Sequence, residues 1–220
     1  LVISAHPGHC QRNFSTSPTD LLERFRIITS DPEVVSSGVR FRAYLSTCWG
    51  DADASDVSLD TVYELASRLL ELGVIEVTLS DTSALGSPES VYELFTQMHS
   101  RGIARDQLGF HGHDRDPLNY FGVENAVAAF RAGIQRLDSS LLGLGGCPAT
   151  AHPFGNVPTE DLVERLHHMG IDTGIDAAFL RNAGFYAIRR MGLPIYGNAF
   201  HDLVPEHVDE ADSPYAEFVE

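Results

Sequence analysis

There is no lysine in this chain: all 15 basic residues among its 220 are arginine. Chemistry that needs a lysine amine, Schiff-base formation above all, is excluded from this stretch. Positive charge is scarce altogether. Against 31 acids the formal net charge is −16, which argues against nucleic acid and anionic membrane as general partners. A small anionic substrate would need a local arginine pocket. Cysteine is limited to Cys10, Cys48 and Cys147, an odd number set far apart. That fits a reducing compartment better than a disulfide scaffold. No apolar run reaches the length of a membrane span. The chain opens Leu1-Val-Ile-Ser4 with no initiator methionine and no targeting signature, so its true start is expected upstream.

What is present is ordinary for a soluble globular domain, 43% hydrophobic and 21% charged. Apolar runs predict strands at 1–5, 39–45, 74–79, 107–113 and 134–139. Helical spacing falls at 18–28, 59–72, 90–101, 123–132, 160–169 and 177–190. Residues 6–10, His-Pro-Gly-His-Cys, read as a loop. Strands and helices alternate at steps of roughly 30–40 residues, the rhythm of parallel βα units. Five units fall three short of a (β/α)8 barrel. The expectation is an α/β chain forming about the last five units of such a barrel, with an open doubly wound sheet as the alternative. Residues 1–204 would be one catalytic domain, and 205–220 an acidic, loosely held tail.

Polar clusters follow the strands, where barrels place their active sites. His111 and His113 are two apart on a strand, so they share a face, roughly 6.6 Å apart along it. The choice is between a metal pair and hydrogen-bonded core histidines; the apolar strand before them and the glycine loop after them favour metal. Asn156 could add a neutral oxygen, and Asp114 could orient a ligand. Two imidazoles and an amide point to Mg²⁺ or Mn²⁺ rather than structural zinc. Asp81 ends the third strand, either as a site carboxylate or as the builder of a turn. Tyr44, Ser46 and Ser4 end the first two strands by the same geometry, and Tyr44 could equally fill a barrel interior. Residues 6–10 carry an H-x-x-H-C set, but no second pair at zinc-finger spacing accompanies it. His167 and His168 are expected in solvent.

Between the fifth strand and the next helix, residues 143–148 read Gly-Leu-Gly-Gly-Cys-Pro. Glycines allow positive φ and close approach to a ligand, and a cysteine so placed contributes little to a core. Taken together, His111-Gly-His-Asp114, Asp138-Ser-Ser140, Gly143-Leu-Gly-Gly-Cys-Pro148 and Gly155-Asn-Val-Pro-Thr-Glu-Asp-Leu162 closely resemble the 3-hydroxy-3-methylglutaryl-CoA lyase family. These are metal-dependent barrel enzymes. The resemblance runs from about Val2 to Arg190. It implies a carbon–carbon lyase that cleaves such an acyl-CoA to acetyl-CoA and acetoacetate.

It further implies that His111, His113 and Asn156 ligate a divalent cation, Mg²⁺ or Mn²⁺. Cys147 would help protonate the enolate leaving group and Asp81 would be the active-site acid. Tyr44, Ser46 and Thr82 would line the substrate pocket, with Ser4 beside them. The partner implied is an acyl-CoA, without nucleic acid or membrane; a homodimer is left open. The compartment would be bacterial cytoplasm or mitochondrial matrix.

This sequence departs from the family in places. No Arg-Asp pair of the family's first strand is present, and the family's Ser-Ala-Ser-Glu becomes Ser4-Ala-His-Pro7, losing a carboxylate. Gly112 stands where cysteine is common. The 220 residues alone are therefore expected to lack a complete site. A condensing synthase of the same superfamily and a non-catalytic barrel remnant are the competing readings. The Gly-Gly-Cys-Pro loop favours the lyase over the first.

Overall fold

A computed structural model of the chain describes residues 1–51, 57–114, 121–146 and 155–191. The expected tail at 205–220 lies outside them. Five parallel strands form one sheet in sequence order: β1 (Val2–Ser4), β2 (Arg42–Ser46), β3 (Glu76–Ser80), β4 (Leu108–His111) and β5 (Leu137–Asp138). Helices α1 (Pro7–Phe14), α2 (Pro18–Ser30) and α3 (Pro32–Ser37) join β1 to β2. The later crossovers are α4 (Leu59–Glu71), α5 (Pro88–Ser100) and α6 (Phe121–Arg131), and α7 (Thr159–His168) and α8 (Ala177–Met191) follow β5. This is the expected βα rhythm, one strand pairing the next all the way across. Among the described residues the sheet keeps two edges, β1 and β5.

Local chemistry sets the helix starts. Ser58 caps α4 by accepting the Thr61 amide, and the side chains buried along it, Val62, Leu65, Ala66 and Leu69, recur at helical spacing. Ser87 and Ser90 exchange bonds in a capping box at the head of α5, with Pro88 at its first position. The loop expected at residues 6–10 is instead the start of α1. Pro7 occupies its first turn, and the His6 ring takes the capping role by accepting the His9 amide at 3.1 Å. The H-x-x-H-C set is thereby dispersed: Cys10 is fully buried and the His9 ring meets Asn13 Nδ2.

The two faces of the sheet differ sharply. Ile3, Ala43, Leu45, Val77, Leu79, Leu108 and Phe110 are all 0% exposed on the helix-covered face. There they join one core with Val62, Leu69, Phe95 and Met98. Each large side chain so buried stabilises the fold by about 1.5–3 kcal/mol relative to exposure. Parallel sheets usually bury apolar side chains on both faces. Here the opposite face carries Arg42, Tyr44, Glu76, Thr78, His111 and Asp138.

These side chains hold one another. Arg42 Nε lies 2.6 Å from Glu76 Oε1, and its other nitrogens donate to Tyr44 Oη and to Asp138 Oδ1, both at 2.9 Å. Arg136 Nε reaches Glu76 Oε2 at 3.0 Å. Buried acids survive only with such partners. Gly109 makes room for the network: a β-carbon there would stand 2.7 Å from Glu76 Oε1 and 3.0 Å from Thr78 Oγ1.

Candidate metal and substrate site

The C-terminal ends of the strands are knotted together by hydroxyl groups. Thr47, just past β2, adopts a left-handed φ of 60°, a conformation that costs about 1 kcal/mol or more and persists only where surroundings enforce it. Three bonds do so. Thr47 Oγ1 meets Ser4 Oγ at 2.8 Å and accepts the His6 amide at 3.0 Å, while the Thr47 amide donates to Thr82 Oγ1 at 2.9 Å. Ser4 and Thr82 therefore sit in a buried clasp joining β1, β2 and β3, 0% and 5% exposed respectively. Tyr44 and Ser46 are half-buried on the polar face.

His111 and His113 come together as expected. Their rings lie 4.8 Å apart, edge to face, and Tyr44 stands edge-on to His111 at 5.8 Å. Only His111 belongs to β4. His113 has left the strand and forms an antiparallel bridge with Asn156, which brings all three expected ligands to one place. His113 is 4% exposed, and its Nδ1 lies 3.0 Å from the Asp81 carbonyl. That carbonyl can only accept, so Nδ1 carries the proton and Nε2 keeps a lone pair for a ligand. Burial first, and the neighbouring His111 second, push the His113 pKa down to about 4. The ring is therefore neutral at neutral pH, the state a metal ligand requires.

His111 is backed by a carboxylate. Its Nδ1 lies 3.4 Å from Asp138 Oδ2, without the alignment of a full hydrogen bond. Burial would raise the Asp138 carboxyl, but His111 and Arg42 outweigh it and hold the pKa below the usual value. Asn156 donates Nδ2 to the Leu144 carbonyl at 2.8 Å, which leaves Oδ1 as the atom able to meet a cation. Two imidazole nitrogens and an amide oxygen fit a divalent ion that keeps further positions for water or substrate. Among the described residues, no three or more His, Cys, Asp or Glu side chains form a metal-holding group.

The loop between β5 and α7 is shaped around Asn156. Gly145 has φ 96°, and a β-carbon there would stand 2.8 Å from Asn156 Nδ2, so only glycine fits. Leu142, with φ 57°, is held by its amide donating to both carboxylate oxygens of buried Glu160, at 3.0 and 3.1 Å. Cys147 lies outside the described residues.

Asp81 is 1% exposed, and its carboxylate builds a turn: Oδ1 accepts the Leu85 amide at 2.9 Å and Oδ2 the Gly86 amide at 3.0 Å. The carboxylate thus closes a turn, and the Asp81 main-chain carbonyl meets the His113 ring. Asp114 is buried too, with Oδ1 accepting the Gly122 amide at 2.9 Å. Burial, helped by Asp161 and opposed by that hydrogen bond, raises its pKa to about 6.

Sequence reading passed over Arg42, Glu76, Ser80, Asp138 and Glu160 as site-shaping residues. Strand alternation could have placed the first four on the histidine face. His167, expected in solvent, is half-buried against Thr173 Oγ1 at 2.8 Å, whereas His168 is exposed.

Fold and site define a class: a parallel α/β sheet of barrel type with a two-histidine, one-asparagine centre where the strands end. The HMGL-like family matches residues 3–185, and the chain belongs to that family. It is 32% identical over 190 residues to the cytoplasmic 3-hydroxy-3-methylglutaryl-CoA lyase of Danio rerio, covering 86% of this chain and 54% of that protein. To the hydroxymethylglutaryl-CoA lyase of Pseudomonas mevalonii it is also 32% identical, covering 86% and 61%. Thus the chain spans between half and two thirds of these relatives.

Among solved structures it is similar to the hydroxymethylglutaryl-CoA lyase of Pseudomonas aeruginosa, with a TM-score of 0.83 and 30% identity over 94% of this chain and 67% of that one. An Acinetobacter baumannii HMG-CoA lyase in complex with coenzyme A and 3-methylmalate gives the same TM-score at 28% identity, over 95% and 67%. The fold, an α/β sheet of the HMG-CoA lyase barrel type, is thereby established. No described helix is long and apolar enough to cross a membrane.

Proposed function

We propose that the protein is a divalent-metal-dependent carbon–carbon lyase, acting on a 3-hydroxy-3-methylglutaryl-CoA-like thioester to give acetyl-CoA and acetoacetate. The observation that carries this reading is the meeting of His111, His113 and Asn156 at the ends of the strands. Their family membership and the lyase names of the relatives support it.

His111, His113 and Asn156 would hold the cation, Mg²⁺ or Mn²⁺. When bound, it lowers the pKa of the substrate alcohol and polarises the adjoining carbonyl. The Asp81 carbonyl fixes the His113 tautomer and orients that ring before any ligand arrives, while Asp138 places a carboxylate beside His111. Asp81 acts as a positioning residue through the turn it closes. Tyr44 and Ser46 would border the acyl group, while Ser4 and Thr82 would support that border through the Thr47 clasp. A base takes the alcohol proton, the oxygen becomes the ketone of acetoacetate as the carbon–carbon bond breaks, and the electron pair of that bond passes to the thioester enolate. Cys147 would return a proton to that enolate. An acyl-CoA is the partner proposed.

The test pairs Mn²⁺ titration with acetoacetate release from 3-hydroxy-3-methylglutaryl-CoA by the intact gene product. His111→Ala should abolish both. Cys147→Ala should spare Mn²⁺ binding and lower kcat by about 100-fold or more, as loss of a positioned proton donor does. Full turnover without Cys147, or no Mn²⁺ uptake by the wild type, would refute the reading. A condensing synthase would instead consume acetyl-CoA with a 2-oxo acid.

A further inference from the structure

Ser80 is the last residue of β3 and is 3% exposed, yet its hydroxyl has no hydrogen-bond partner among the described residues. A buried hydroxyl left unpaired is costly and calls for an explanation. Neighbouring hydroxyls do not share its condition. Ser4 meets Thr47 Oγ1, Thr78 accepts from Arg42, and Thr82 accepts the Thr47 amide. Among the described residues, Ser80 supplies the only hydroxyl buried and unpaired.

Its direction follows from register. Ser80 pairs with His111 across the β3–β4 ladder, so both side chains leave the same face of the sheet. That face is the site face, because His111 touches Tyr44, His113 and Asp138 on it. On the other side Leu79 pairs with Leu45, which sets Ser80 beside Ser46. His111 pairs in turn with Asp138. Ser46, Ser80, His111 and Asp138 therefore form one row just below the level of His113.

We infer that Ser80 is a substrate-binding residue, its hydroxyl donating to a carboxylate or carbonyl oxygen of a hydroxy-acid ligand seated beside His111. This inference rests on the function proposed above and adds to it the residue that would grip the acyl portion. The hydroxyl can only donate to such an oxygen, so an acyl chain lacking one at that position would be bound less well.

The experiment compares wild type and Ser80→Ala in two measurements. In metal-free thermal unfolding the variant should melt at the same temperature or higher, because no internal bond is lost. In calorimetric titration, Mn²⁺ affinity should agree within about twofold. The Kd for 3-hydroxy-3-methylglutarate, titrated at saturating Mn²⁺, should rise about five- to tenfold, the usual worth of one such hydrogen bond. Equal Kd values for the two proteins would overturn the assignment of Ser80 alone. A lower melting temperature in the variant would overturn it as well, by showing that the hydroxyl serves the fold. If the wild type binds neither Mn²⁺ nor the hydroxy acid, the proposed function falls and takes this inference with it.

Discussion

Asp114→Asn should stabilise the metal-free protein, and only above the middle of the acidic range. The folded structure raises this carboxyl from 3.8 to about 6, chiefly by burial. A group whose acid form is favoured by folding adds stability below its unfolded pKa and loses it as pH rises through the folded one. The interval from 3.8 to about 6, at about 1.4 kcal/mol per pKa unit, amounts to about 3 kcal/mol of penalty at pH 7.5. Asp114 is 9% exposed, so solvent screening trims this only slightly.

Asparagine keeps an oxygen to accept the Gly122 amide and removes the charge that Asp161 repels. His113 acts in the opposite sense. Its pKa falls from 6.5 to about 4, so its contribution is whole above 6.5 and fades as pH drops toward 4. In the wild type the two slopes oppose each other between about pH 4 and 6.5. In the variant the downward slope of Asp114 should be gone, leaving the upward slope of His113 less opposed. Urea unfolding from pH 4 to 8 with a chelator present measures both. The variant should match the wild type near pH 4 and exceed it by about 2–3 kcal/mol at pH 7.5. A gain independent of pH, or a loss at pH 7.5, would refute the reasoning.

Two further substitutions probe the frame around the site. Asp81→Asn replaces one acceptor of the Leu85–Gly86 turn with a donor facing an amide. It should cost about 2 kcal/mol or more in chemical denaturation, and unchanged stability would mean that the carboxylate does not hold the turn. Gly109→Ala sets a methyl 2.7 Å from Glu76 Oε1. It should destabilise by about 1–3 kcal/mol and lower the melting temperature, whereas a neutral result would show that the Arg42 network yields easily.

Much of this molecule is legible from its sequence because apolar periodicity and strand-end polarity are local signals. The five strands and the long helices announce themselves in that way. Helix α1 does not: His6-Pro7-Gly8 has the composition of a loop, and only Pro7 at a first helical position hints at the helix. Helix α3 was hidden likewise, although Asp31-Pro32 is a cap followed by a first-turn proline. The predicted fifth strand shrinks to Leu137–Asp138, because Ile134 is taken up in closing α6 through its bond to Ala129. His111 and His113 were readable as a pair, since two positions on one strand must share a face. What could not be read is convergence between strands. Arg42 and Asp138 are 96 residues apart in the chain, and no local pattern shows that they clasp behind His111. Nor does sequence show that the carboxylate of Asp81 turns back on its own loop.

The strand order carries a consequence for how the chain assembles. Each strand pairs with its successor, and the registers join Val2 to Tyr44, Arg42 to Glu76, Val77 to Leu108 and Phe110 to Leu137. Those separations shrink from 42 to 34, 31 and 27 residues along the chain. Loop-closure entropy grows only logarithmically, so the first and last closures differ by about 0.4 kcal/mol. No pairing here has to wait for a distant stretch of polypeptide. The sheet can therefore grow unit by unit as the chain leaves the ribosome, each βα unit offering a finished edge to the next.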